Sequence, residues 1–339
     1  MPEIVQWSDI QQGFEHGLLL GNGASVAVHK GFSYSSLFEA ATELGFITPP
    51  VQQVFDSFGE DDFEFVLRRL WQAKLVNDAL GIEPGRVEDA YQEVRAALIS
   101  AIREVHVSYE EALPHLEPIC QFMQRFDTVV SLNYDLVVYW AAMHGNNKFG
   151  QWFKDCFVDG GFVEDWSDMR KPIWGAESST LFFYPHGNLV LARRKREYES
   201  KIVTGDNANL LEAIFKRWEA GNNVPIFICE GTSEHKKGAI RCTEYLERVY
   251  REVMPVLGES LVVYGWSFSD NDDHILSKLR HSRSNVRRVA VSVFNNDLGF
   301  AQYAEDKLSG IGIKDVSFFD SASAGSWNNP SDNVQTGEE

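Results

Sequence analysis

Residues 16–25 read His16-Gly17-Leu18-Leu19-Leu20-Gly21-Asn22-Gly23-Ala24-Ser25, an apolar run that stops at two glycines one residue apart and then a serine. Such a run is a buried strand feeding a tight turn into a helix. Glycines accept positive φ and carry no Cβ, so the peptide N–H groups of the turn can approach a phosphate. The same turn is also an ordinary tight connection, and taken alone it does not separate the two. Three later segments repeat the pattern of an apolar run ending in small or polar residues: 128–135 (TVVSLNYD), 182–188 (FFYPHGN) and 261–270 (LVVYGWSFSD). Open α/β sheets bind ligands at the carboxyl ends of their strands, so these four segments are expected to converge on one site.

Between the first strand and Thr128 the chain has helical periodicity and few strand signals. Asp61 and Asp62 open one segment with charges suited to a helix N-terminus, and Phe63, Val66, Leu67 and Leu70 follow at i, i+3, i+4, i+7. Val94, Leu98 and Ile102 repeat the spacing. From Thr128 onward short apolar runs at 128–132, 181–184, 224–229, 260–265, 287–294 and 315–319 alternate with helical stretches at 208–220, 241–254 and 271–281. The expected fold is α/β: a Rossmann-like, doubly wound, mostly parallel sheet over residues 1–320 with a helical insertion or cap at about 50–125. Residues 321–339, rich in Ser, Asn, Gly and Asp, read as a disordered tail.

Composition narrows the partners. Of 339 residues 44% are hydrophobic, ample for a core, and 49 acidic against 31 basic residues give a net charge of −18. That surface repels nucleic acid and anionic membranes, so a bound phosphate has to be held by local backbone donors. The basic run at 193–196 is followed by Glu197 and Glu199 and reads as a solvated hairpin. No apolar run is long enough to cross a bilayer. Cys120, Cys156, Cys229 and Cys242 are too far apart for a zinc ribbon, and the absence of a leader at the start suits reduced thiols in a cytoplasm. The histidines other than His186 show no metal-ligand spacing, so surface or capping roles and no metal are expected.

Side by side, the four segments resemble the sirtuin fold, and more closely the bacterial sirtuin-like proteins that hydrolyse NAD in antiphage defence than the protein deacetylases. Gly21-Asn22-Gly23-Ala24-Ser25 is similar to the family's Gly-Ala-Gly-x-Ser phosphate loop. Ser131 to Asp135 resembles its Thr-Gln-Asn-Ile-Asp motif, matching at Asn133 and Asp135, and His186-Gly187 resembles the catalytic His-Gly pair. Gly265-Trp266-Ser267 resembles the Gly-Thr-Ser that holds the adenosine ribose and is preferred over the rival Gly231-Thr232-Ser233. The four-cysteine zinc module of the deacetylases is missing, as is the Asp-Phe-Arg signature, its place taken by Phe32-Ser33-Tyr34. These losses weaken acyl-lysine recognition and leave NAD binding intact.

The resemblance implies an NAD hydrolase that releases nicotinamide and ADP-ribose, with NAD as substrate. In that role His186 is the base near C1′, a function suited to a group titrating near neutrality. Asn133 orients the ribose hydroxyls or the attacking water, and Asp135 accepts from the nicotinamide amide. Gly21, Asn22, Gly23, Ala24 and Ser25 hold the diphosphate, and Gly265 and Ser267 the ribose. Asp155 and Asp159 are lesser candidates for the nicotinamide end. The rival readings are a module that senses NAD or an ADP-ribose-type nucleotide without turnover, and an acyl-lysine deacylase. An unrestrained NAD hydrolase would harm its own cell, so control through a homo-oligomer or a regulatory protein partner is expected.

Overall fold

The computed structural model describes residues 2–331 apart from 34–35, 84, 174, 195–197, 206, 222 and 229. Its strands are β1 (Ile4–Val5), β2 (Gly17–Leu20), β3 (Thr128–Ser131), β4 (Phe153–Lys154), β5 (Phe157–Val158), β6 (Gly161–Phe162) and β7 (Thr180–Phe183), followed by β8 (Gly187–Arg194), β9 (Glu199–Lys201), β10 (Asn223–Phe227), β11 (Ser260–Tyr264), β12 (Arg288–Val293) and β13 (Asp315–Asp320). Eight of them form one sheet in the order β1-β13-β12-β11-β2-β3-β7-β4, and every neighbouring pair is parallel. From β2 the chain builds outward through β3 and β7 on one side, then crosses to β11, β12 and β13 on the other. The strand order therefore reverses between β2 and β11, the place where an open α/β sheet leaves a crevice. The central strands β2, β3, β7 and β11 are buried along their whole length, which explains why they read as continuous apolar runs and not as alternating ones. The doubly wound α/β reading holds.

The helices are α1 (Trp7–Ile10), α2 (Asn22–Val28), α3 (Leu37–Glu43), α4 (Pro49–Phe58), α5 (Phe63–Leu80), α6 (Gly85–Val105), α7 (Tyr109–Met123) and α8 (Val137–Phe149), then α9 (Leu210–Glu219), α10 (Ser233–Arg241), α11 (Glu244–Arg248), α12 (Asp273–Leu279) and α13 (Leu298–Gly310). Local chemistry sets their starts. The Asp62 carboxylate caps α5 by accepting from the N–H groups of Glu64 and Phe65, and Ser108 with Glu111 forms a capping box on α7. The expected helical insertion is α4 to α7: α5 packs on α6 and on β10, and α7 on α8.

Three expectations need correction. The run at 224–229 is not a strand of the main sheet, because β10 pairs antiparallel with β8 in a separate sheet ordered β10-β8-β9. An apolar run carries no information about which sheet it joins, and here the tight turn after β7 sends β8 away from the parallel layer. The basic run does lie on the β8–β9 hairpin, but Arg193 is buried, donating to Glu199, Thr243 and the Cys242 carbonyl; Lys195 and Arg196 lie outside the described residues. The supposed tail is ordered over 321–331. Trp327 is 1% exposed, and its indole N–H donates to the Ala24 carbonyl at 2.8 Å, so one aromatic residue supplies the burial that the polar composition conceals. Residues 332–339 lie outside the described residues.

Candidate functional site

The four motif segments follow β2, β3, β7 and β11, four adjacent strands, at their carboxyl ends. At the β2–α2 turn, Ser25 donates to Asp135 Oδ2 at 2.5 Å, and the Asn133 amide donates to Ser25 Oγ at 2.7 Å and to the Gly21 carbonyl at 3.0 Å. Asn133, Asp135 and Ser25 are buried at 7%, 3% and 1% exposure, so this polar triad is desolvated and held by its own bonds. The second Asp135 oxygen accepts from the Val137 N–H at 2.9 Å at the start of α8. Both carboxylate oxygens thus have internal partners, which makes Asp135 the clasp between α2 and α8 instead of a free acceptor for a carboxamide.

Gly21, Gly23 and Gly265 meet face to face. A Cβ on Gly21 would lie 2.5 Å from the Trp266 Cα, and one on Gly23 would lie 2.7 Å from the Gly265 Cα. Gly265 has φ +68°, and its own Cβ would fall 2.3 Å from the Ala24 nitrogen. The Gly23 N–H donates to the Gly265 carbonyl at 2.8 Å. The sequence reading kept this space for a phosphate; the loop after β11 occupies it with backbone. Asn22 remains exposed, with its amide on the Phe32 carbonyl, and Ser267 is exposed beside the buried Trp266.

His186 lies in the turn between β7 and β8. Gly187 after it has φ +78° and would place a Cβ 2.2 Å from the Ile226 carbonyl, so the His-Gly pair is required by the crossing onto β10 whatever its chemistry. The 132–135 loop is laced to β8: Asn188 donates to the Asp135 carbonyl at 2.5 Å, the Leu189 N–H donates to that of Tyr134, and His186 has a hydrogen bond to the Leu132 backbone. His186 thus sits beside the Asn133 loop, as expected. Asp155 and Asp159 do not join it: Asp155 is ion-paired with Lys201, and Asp159 sits at the β5–β6 turn with φ 51°.

The sequence reading missed the partner of His186. His274, on α12, is fully buried, and its Nε2 lies 2.8 Å from that of His186, with the rings stacked at 28° and centroids 5.0 Å apart. Its Nδ1 is 3.4 Å from Ser233 Oγ, which also accepts the His274 backbone N–H at 3.0 Å. Ser233 belongs to the rival Gly-Thr-Ser segment, set aside in favour of Gly265, so both segments flank the region. Burial pushes the His186 imidazole well below its ordinary value; the Lys236 ammonium adds to the effect, while Asp272 and the Leu132 bond oppose it. Burial likewise brings His274 down to about 4. Burial alone would raise the Asp272 carboxyl, but His186, Lys236 and the Trp266 indole outweigh it and the carboxyl is held low. Both histidines are neutral near pH 7. His106 is a third buried imidazole, accepting the Leu136 N–H at 3.0 Å through Nε2, which ties the end of α6 to the site. One signal was available in the sequence: His274 follows Asp270-Asn271-Asp272-Asp273 directly downstream of the Gly265 loop.

Folding also assembles donor sets that linear spacing hid. His186, Asp272 and His274 present ligand atoms within 4.8 Å of one another, as do Glu117, Cys120 and His144. In each set an ammonium already sits on the carboxylate: Lys236 on Asp272 at 2.7 Å and Lys148 on Glu117. Each carboxylate therefore has a cation in place.

A parallel α/β sheet with polar loops gathered at its switch point defines a Rossmann-like protein with a candidate nucleotide site. Residues 18–327 match the model of a family described as a domain of unknown function, DUF4917, and the chain belongs to that family. No curated protein matches the chain.

Proposed function

We propose that this protein binds NAD across the carboxyl ends of β11, β2, β3 and β7 and hydrolyses its nicotinamide–ribose bond to nicotinamide and ADP-ribose. The observation that carries the reading is the meeting of Gly21–Ser25, Asn133, His186 and Gly265 on four adjacent strands where the strand order reverses. In this reading the diphosphate lies on the exposed Asn22 side of the β2–α2 turn, since the Gly265 backbone fills the other side. His186 takes a proton from the attacking water or hydroxyl, and Asn133 orients it. The hydrolysis is the kind of NAD depletion that the resemblance to antiphage sirtuin-like proteins implies.

The test is nicotinamide release from NAD by the purified protein, with and without an acylated peptide, in wild type and in folded His186→Ala and Asn133→Ala variants. A lost general base lowers turnover about a hundredfold or more while NAD affinity stays within a few fold. Equal turnover in wild type and His186→Ala ends the catalytic assignment, and turnover only with peptide gives the deacylase. A second reading, NAD sensing without turnover, is favoured by one observation: Asn133, Asp135 and His186 are all at most 7% exposed and internally bonded. Binding without nicotinamide release in every condition selects it.

A further inference from the structure

Two ring nitrogens 2.8 Å apart cannot both present lone pairs; a proton or a metal ion has to lie between them. A metal is disfavoured by the surroundings. Asp272, the third donor, accepts from the Lys236 ammonium at 2.7 Å and from the Trp266 indole at 3.2 Å, so both its oxygens are engaged and a divalent ion would face a buried ammonium. A proton meets no such obstacle. It is carried by one imidazole and accepted by the other.

Which imidazole carries it follows from the far ends of the pair. The Nε2 of His186 faces His274, so Nδ1 is the nitrogen left for the side where Leu132 and Asn133 lie. On the far side, His274 Nδ1 is opposite Ser233 Oγ. A base that serves the Asn133 side needs a lone pair on Nδ1, hence its hydrogen on Nε2. His274 accepts that hydrogen if its own N–H is Nδ1–H directed at Ser233 Oγ.

We infer that His274 is the positioning residue of His186: it accepts the Nε2–H of His186, fixes that ring's tautomer and turns its basic Nδ1 toward the Asn133 loop. The arrangement has the logic of a base held by a third group behind it, with an imidazole in the place of a carboxylate. In the reaction, the proton leaves water for His186 Nδ1 as the water oxygen bonds to C1′, and nicotinamide departs with the electron pair of the glycosidic bond. The imidazolium formed is then held between the Leu132 backbone and His274 Nε2, and its proton returns to solvent. Other charged or titratable groups facing the pair are Asp272, Lys236, Lys237, Glu234 and Tyr250. None lies between the two Nε2 atoms. The inference uses the NAD hydrolase reading for its catalytic part, but the tautomer is a property of the free protein.

The experiment records histidine side-chain ¹⁵N–¹H correlations of the unliganded protein and NAD turnover for wild type, His274→Gln and His274→Leu. Glutamine puts an amide oxygen or nitrogen where Nε2 was and can still accept; leucine fills the space and cannot. Wild type and His274→Gln are expected to show His186 protonated on Nε2, and His274→Leu to show it protonated on Nδ1. Where wild type turns over NAD, His274→Leu is expected to lose about a hundredfold in kcat with KM within a few fold, and His274→Gln to recover most of it. His186 protonated on Nδ1 in wild type would overturn the assignment. So would unchanged or raised turnover in His274→Leu, or one equivalent of zinc bound by wild type and lost in His274→Leu. If wild type shows no NAD turnover, the hydrolase reading fails alone, and the wild-type tautomer still decides the positioning role.

Discussion

Replacing Gly23 by alanine tests whether the glycine turn serves a ligand or the fold. The added Cβ would stand 2.7 Å from the Gly265 Cα, 2.9 Å from its oxygen and 3.2 Å from its carbonyl carbon, all backbone atoms. Ordinary carbon contacts lie at about 3.5–4.0 Å, so the two loops must separate by about 1 Å. The bond from the Gly23 N–H to the Gly265 carbonyl, 2.8 Å long, would then pass out of range. Overpacking of this kind costs about 1–3 kcal/mol and the lost bond about 0.5–1.5 kcal/mol. Alanine's better helix propensity offsets about 1 kcal/mol at most. A net destabilisation near about 2 kcal/mol is expected, read as a lower urea midpoint at unchanged m-value. Gly238, within α10, has nothing within 4 Å of its Cβ position, and Gly238→Ala should gain about 0.5–1 kcal/mol in the same assay. A Gly23→Ala protein as stable as wild type but unable to bind NAD would refute this reasoning and return the glycine to a phosphate-binding role.

Trp327→Ala should cost about 3–5 kcal/mol, the usual range for a buried tryptophan, because it empties a fully packed position and frees the Ala24 carbonyl; a melting temperature within a degree of wild type would show that the C-terminal segment does not hold α2. The buried histidines set a pH dependence. His274 has a folded value of about 4 against 6.5 when unfolded, so the unfolded chain binds the extra proton and stability falls as pH drops below about 6.5. Between pH 7.5 and 5 this single group removes about 2 kcal/mol. Urea midpoints of His274→Gln should therefore fall less steeply over that range than those of wild type; parallel slopes would contradict the burial. Ser25→Ala leaves the Asn133 amide and Asp135 Oδ2 without their shared partner in a desolvated site, and a loss of about 1–3 kcal/mol by chemical denaturation is expected; no loss would mean that water enters the triad.

The sequence determined what depends on local pattern. Continuous apolar runs at 17–20, 128–131, 180–183 and 260–264 could only be strands covered on both faces, and alternation with helical stretches made them parallel neighbours. Asp62 marked the start of α5 because capping is a contact between residues two or three apart. Asn133, Asp135 and His186 were legible as site residues because each directly follows a strand whose end is fixed by the sheet. What only the tertiary structure decided are contacts between residues far apart in the chain. His186 and His274 are 88 residues apart, Ala24 and Trp327 303 apart, and nothing in local periodicity encodes either meeting. The glycines show the difference most plainly. A missing Cβ signals close approach, and the sequence states that much; whether a phosphate or the backbone of Gly265 makes the approach depends on how the β11 loop packs, which is settled only when the whole sheet is assembled.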